Sequence, residues 1–170
     1  MEASNWDEDC YTLTFSKTIR QIWFFFTSDT ITVNIDVTKP IEIDKRKMIF
    51  NSPATIEYYD QEKEENSIFS KRTALFDERD RLLFYDPESS KINDINNKMD
   101  SLLNVKENFD KKCALNSRYS CNAGFALLNL TYGKDDLTPY VGLVDSVEKR
   151  FPKSKWIKEV VASTRAKAKK

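Results

Sequence analysis

A long segment without helix breakers is the feature that most limits the fold of this chain. Between Ala54 and Tyr85 there is neither glycine nor proline. Two series of apolar residues recur every seven positions along it: Ile68, Leu75 and Leu82, and beside them Phe69, Phe76 and Leu83. An apolar stripe at this spacing predicts one long amphipathic helix. Ser52-Pro53 predicts its start, because serine caps the first turn and proline lacks the N–H that would be unpaired there.

A second long helix is predicted after Asp86-Pro87, a dipeptide that ends the first. Its apolar stripe consists of Ile92, Ile95, Met99, Leu102 and Leu103. Two long helices joined by a short turn should fold back on each other as a helical hairpin. Three shorter helices should follow, one over about 120–132, one opening at Thr138-Pro139 and one after Pro152.

Residues 10–50 have a different pattern, in which apolar and polar side chains alternate with a period of two. This alternation is typical of half-buried strands and predicts a small antiparallel sheet. We therefore expect an α+β fold: a sheet at about 10–50, a helical region at about 53–168, and an acidic extension at 1–9. Residues 10–170 should form a single domain. The predicted core residues are Phe24, Phe26, Ile31, Val33, Phe69, Phe76, Leu83, Val144 and Trp156.

The composition argues against several classes of function. The 170 residues include no histidine, so Ser/His/Asp and Cys/His catalytic sites cannot be built. Three cysteines and three glycines give no basis for a zinc site or a glycine-rich phosphate loop. The 27 basic and 27 acidic residues cancel, which disfavours a nucleic-acid partner. We expect a non-enzymatic domain without cofactor, metal or membrane span, and with an unidentified protein partner.

A few residues remain as candidates for a function. Cys113 and Cys121 lie eight positions apart and allow a disulfide in an oxidising compartment, or they are two small apolar residues. Tyr140 and Trp156 are candidates for partner binding in a helical adaptor that holds a peptide through segment 115–168. A hydrolase using the carboxylates of Glu62, Glu65 or Asp77 is a third alternative, although interleaved basic residues favour a solvated helix face there.

The order of these features resembles DUF4369, a domain of unknown function. The resemblance covers about residues 20–160 and rests on short segments. These are the aromatic strand and turn from Trp23 to Val33, the step Ile49-Phe50-Asn51-Ser52-Pro53 into a long helix, the segment Asn116 to Leu128, and Phe151-Pro152-Lys153-Ser154-Lys155-Trp156.

DUF4369 domains typically precede a thioredoxin-like domain of the TlpA/AhpC type in envelope proteins of Bacteroidetes. The resemblance thus implies an accessory domain of an envelope thiol-disulfide system, in a shortened form without the family's lipobox cysteine or WCxxC motif. It implies a periplasmic or envelope location, whereas the chain as given predicts a cytoplasmic one. A shortened sheet would leave an open edge, through which a homo-oligomer is expected to form.

Overall fold

A computed structural model describes the backbone of residues 10–14, 21–25, 33–34 and 49–168, and the side chains from Asn51 to Ala168. The elements are four strands, five α-helices and a 3-10 turn at Thr138–Tyr140. The strands are β1 (Cys10–Thr14), β2 (Gln21–Phe25), β3 (Val33–Asn34) and β4 (Ile49–Phe50). The helices are α1 (Pro53–Tyr85), α2 (Lys91–Asn116), α3 (Ser120–Thr131), α4 (Val141–Arg150) and α5 (Lys155–Ala168).

The predicted α+β architecture is wrong. The continuously described segment 51–168 is 83% helical and contains no strand. The strands before it form two separate antiparallel pairs, β1 with β2 and β3 with β4, rather than one small sheet. The alternation of apolar and polar residues predicts an extended backbone, but it does not predict which strands pair. A sheet that is stable on its own needs three or more strands. The homo-oligomer expected at an open sheet edge stays a prediction. The acidic extension at 1–9 lies outside the described residues.

The helical region begins with a long hairpin. Ser52 caps α1, since its hydroxyl accepts a hydrogen bond from the Thr55 N–H at 3.4 Å. α1 ends where the Asp86 N–H donates to the Leu82 carbonyl at 2.7 Å, and α2 starts five residues later. At 1.5 Å per residue, the 33 residues of α1 extend about 50 Å and the 26 of α2 about 39 Å. No helix among the described residues is long and apolar enough to cross a membrane.

The hydrophobic core lies at one end of this hairpin, where the last turns of α2 meet α3, α4 and α5. Its buried members are Ala114, Ala123, Ala126, Leu127, Leu130, Leu137, Tyr140, Val144, Val147, Ile157, Val160 and Val161. Val144, which the sequence predicts as core, is fully buried. At the opposite end of the hairpin, α1 and α2 are the two helices that the described residues provide.

Two predicted core residues of α1 are exposed. Phe69 is 53% exposed and Leu83 is 48% exposed, so the prediction that they lie in the core is wrong. The cause is the length of α3, which has only 12 residues and ends before it reaches them. The predicted core residues before Asn51 lie outside the side chains that the structure describes.

Candidate functional site

One side of the hairpin is a groove between α1 and α2 that α3 only partly fills. In the filled part, Asn129 of α3 donates from Nδ2 to both carboxylate oxygens of Glu65, at 3.2 and 3.3 Å. The ring of Tyr58 on α1 also lies 5.3 Å from that of Phe125 on α3, between centroids. Glu65 and Tyr58 therefore mark the side of α1 that faces α3.

Beyond the end of α3, the described part of the chain places no third helix on the same side of the hairpin. Phe69 follows Glu65 by four residues, and Phe76 and Leu83 follow at intervals of seven, which keeps all three on the α3 side. On α2, Asp110 lies beside α3, and Leu103 precedes it by seven residues, again on that side. We call the surface formed by Phe69, Phe76, Leu83 and Leu103 the open groove. Leu103 is 42% exposed, so the apolar lining comes from both helices.

Two arginines flank the aromatic ring at the centre of the open groove. The guanidinium carbons of Arg72 and Arg79 lie 4.8 and 4.6 Å from the centroid of Phe76, which is within cation–π distance. Arg79 also pairs with Asp80 at 2.8 Å. The Nε of Arg72 is buried and has no hydrogen-bond partner among the described residues. A buried donor without an acceptor is uncommon and costs free energy.

The filled part of the groove contains a partly open cavity of about 320 Å³ between α1, α2 and α3. Beside it, the Lys106 ammonium lies 2.7 Å from an oxygen of Glu65 and 2.7 Å from one of Asp110. Burial raises the pKa of Asp110 more than Lys106 lowers it. Burial alone would lower the pKa of Lys106, but its hydrogen bonds to Asp110 and Glu65 raise it overall. The lysine therefore stays charged.

The cysteine at this cavity is poorly suited to thiol chemistry. Burial, assisted by the negative charges of Asp110, Glu57 and Glu65, raises the pKa of Cys113 from 9.0 to about 11. A thiolate is the reactive form, so at neutral pH Cys113 is a thiol of low reactivity. Cys113 and Cys121 are both thiols here and belong to different packing clusters. The disulfide between them stays a prediction.

The two residues predicted to bind a partner are used for packing within the helical region. Tyr140 is 5% exposed, and its hydroxyl accepts a hydrogen bond from Lys134. The ring of Trp156 lies edge-on to that of Phe125, 4.8 Å between centroids, and covers Gly124. A Cβ at Gly124 would lie 3.2 Å from the Trp156 ring, so a larger residue there would require the ring to shift by a few tenths of an ångström. Both side chains pack in the same hydrophobic core, and their role in binding a partner stays a prediction.

One of the three carboxylates of the hydrolase alternative lies apart from the other two. Glu62 and Glu65 both line the cavity, whereas Asp77 lies on the exposed part of α1. At 1.5 Å per residue, Asp77 is about 18 Å along the helix from Glu65, beyond the ~5–9.5 Å that paired catalytic carboxylates span. Sequence reasoning missed Lys106 and Asp110. Their signal was present, since both interrupt the apolar spacing of α2 between Leu102 and Cys113.

Glu107 provides a pH-dependent test of the adjoining ion pairs. Lys111 and Lys134, with Nζ–Oε distances of 2.7 and 2.8 Å, lower the pKa of Glu107 from 4.5 to about 2. A lowered pKa stabilises the fold above pH 4.5, and that contribution is lost as the pH falls towards 2. Because Glu107 is one-third exposed, we expect Glu107→Gln to cost only about 1 kcal/mol at pH 7. Urea unfolding at pH 7 and pH 3 should show a smaller cost at pH 3. An equal cost at both would contradict the ion-pair explanation.

The comparisons with known proteins leave the chain without an assigned family. No protein-family model matches it, and no curated protein or solved structure shows significant similarity. The resemblance to DUF4369, with the envelope location that it implies, therefore stays a prediction.

Proposed function

We propose that this chain is a non-catalytic protein-interaction domain whose open groove binds an amphipathic helix of a partner protein. The observation that carries the proposal is the continuity of the groove. α3 fills one half of it as a third helix, and the other half offers the same two-helix surface with Phe69, Leu83 and Leu103 about half exposed. A partner helix lying in line with α3 would complete the three-helix packing.

The gain in apolar burial is large enough for a specific complex. Fully burying an exposed Leu or Phe side chain stabilises by ~1.5–3 kcal/mol, so Phe69, Leu83 and Leu103, which are about half exposed, would each gain about half of that value. An amphipathic helix in a hydrophobic groove is a recurring mode of peptide recognition, in which apolar anchors repeat at helical spacing. The spacing of Phe69, Phe76 and Leu83 favours a partner whose anchors repeat every seven residues.

The arginines indicate the charge that the partner should carry. Arg72 and Arg79 stand at the sides of Phe76, and the buried Nε of Arg72 lacks an acceptor among the described residues. A carboxylate on the partner helix would accept that hydrogen bond, and bonds between charged groups are the stronger ones. We therefore expect an apolar stripe flanked by aspartate or glutamate.

Two synthetic helical peptides test this proposal. Both have leucines at heptad spacing, flanked by glutamates in the Glu-flanked peptide and by lysines in the Lys-flanked peptide. Fluorescence anisotropy should show tighter binding of the Glu-flanked peptide. Phe69→Ser should weaken the binding of this peptide about threefold to tenfold, the equivalent of burying the exposed half of one side chain. Arg72→Glu should reverse the preference between the peptides.

Tyr132→Ser provides the matched control, because Tyr132 is 89% exposed but lies at the end of α3, outside the open groove. This variant should bind the Glu-flanked peptide like the unchanged protein. Equal binding of both peptides, or equal losses in Phe69→Ser and Tyr132→Ser, would refute the proposal. A dimer in light scattering that Phe69→Ser converts to monomer would also refute it, by assigning the groove to a second copy of this chain.

A further inference from the structure

The helix α3 runs in the same direction as α1, so its C-terminal end points into the open groove. Phe125 of α3 lies against Tyr58 of α1, with 5.3 Å between ring centroids. One turn later in α3, Asn129 bonds to Glu65, which is further along α1 in the same direction. The two helices are therefore parallel, and α3 ends at Thr131, where the open groove begins.

The end of α3 that faces the open groove is the negative end of its dipole. The last carbonyl groups of a helix carry a partial negative charge, and the last turn of α3 contains no basic residue to offset it. Lys134 is the first basic residue after α3, and its ammonium bonds to Glu107 at 2.8 Å and to the Tyr140 hydroxyl. The N-terminus of a second helix, which is the positive end, is therefore favoured next to α3.

Of the two arginines beside Phe76, Arg72 lies nearer to the end of α3. It follows Glu65 by seven residues, or about 10 Å along α1, whereas Arg79 is about 21 Å from Glu65 and pairs with Asp80. A helix that begins where α3 ends would have its first turn beside Arg72. A carboxylate in that turn would be stabilised both by Arg72 and by the dipole of its own helix. In the reverse direction it would lie in the last turn, where the dipole disfavours it.

We propose that the partner helix runs parallel to α3, with its N-terminus next to the end of α3 and an acidic residue in its first turn. This direction applies to a helix bound in the open groove, so it rests on the proposed function. It identifies the partner by a pattern, in which Asp or Glu opens the helix and apolar residues follow at heptad spacing. From Phe69 to Leu83 the groove spans about 21 Å, so the pattern should extend over about four turns.

Photo-cross-linking of the full chain with the Glu-flanked peptide tests the direction. One version of the peptide carries a benzophenone group at its N-terminus, and the other carries it at its C-terminus. The N-terminal group should attach to 66–73 on α1, and the C-terminal group to 83–91 around the hairpin turn, as located by peptide mass spectrometry. The opposite pattern, or the same pattern from both versions, would overturn the proposed direction while leaving the groove as the binding surface.

The position of the acidic residue is tested with two peptides of equal composition, which have glutamate in the first turn or in the last turn. A side-chain staple on the outward face keeps both helical, so their affinities differ only through contacts with the protein. The first-turn peptide should bind about tenfold tighter, and Arg72→Gln should bring the two affinities within about twofold.

Arg81→Gln is the matched control for Arg72→Gln, because Arg81 is exposed and lies five residues from Phe76, on another side of α1. This variant should preserve the tenfold ratio. Equal affinities of the two peptides for the unchanged protein, or a ratio that Arg72→Gln preserves, would overturn the position of the acidic residue. Failure of the Glu-flanked peptide to bind would instead refute the open groove itself, and the direction with it.

Discussion

Leu127→Ala should lower the free energy of unfolding by about 3–5 kcal/mol, the largest effect expected of a single side chain here. Leu127 on α3 is fully buried, in the core that joins α3 to α2, α4 and α5. Truncation removes apolar contacts and leaves a cavity between helices that are held apart by their other side chains. Urea denaturation followed by circular dichroism measures the change.

Leu128→Ala is the matched control for this experiment. Leu128 is the next residue along the chain, and its replacement by alanine removes the same atoms. Its side chain, however, is 39% exposed. We expect it to cost about 1 kcal/mol or less, because an exposed site collapses without leaving a void. Equal losses of unfolding free energy in the two variants would mean that α3 turns a different face toward the core.

Arg150→Met should lower the free energy of unfolding by about 2 kcal/mol, because it removes the hydrogen bonds that this side chain of α4 donates to the end of α2. The last carbonyls of a helix have no partner within it. At the end of α2 the Arg150 guanidinium donates to the carbonyls of Ala114, at 3.2 Å, of Leu115 and of Ser117. Methionine retains most of the side-chain length without the donors, so the loss isolates the hydrogen bonds.

Lys149→Met tests whether charge alone accounts for that loss. Lys149 is also basic, exposed and in the last turn of α4, but among the described residues it is Arg150 that donates to the end of α2. Its replacement should change stability by about 0.5 kcal/mol or less. Similar losses for Arg150 and Lys149 would assign the effect to the helix dipole of α4 rather than to the capping of α2.

The helix boundaries were predictable because they depend on neighbouring residues. Pro53 begins α1 as Ser52-Pro53 predicts, and the chain turns at Asp86 as expected. Pro139 lies in the short turn before α4, and Pro152 separates α4 from α5. Capping and proline stereochemistry act within one or two turns, so the sequence contains all the required information.

The burial of those helices was not predictable in the same way. A seven-residue spacing places Phe69 and Leu83 on one face of α1, but it does not say how far α3 extends along that face. Trp156 is a related case, because its packing partners Gly124 and Phe125 lie on another helix, which the spacing of α5 does not reveal. For the same reason, the alternation over 10–50 could not distinguish one sheet from two strand pairs.

Hydrogen exchange of the full chain, with and without saturating Glu-flanked peptide, tests most directly whether the open groove is the binding surface. The groove proposal predicts slower amide exchange at 69–83 on α1 and 96–103 on α2, with 115–168 unchanged. Those two segments belong to the part of the hairpin without a third helix, where opening should be easiest. Protection confined to 115–168 would contradict the proposal and favour an adaptor that uses Tyr140 and Trp156.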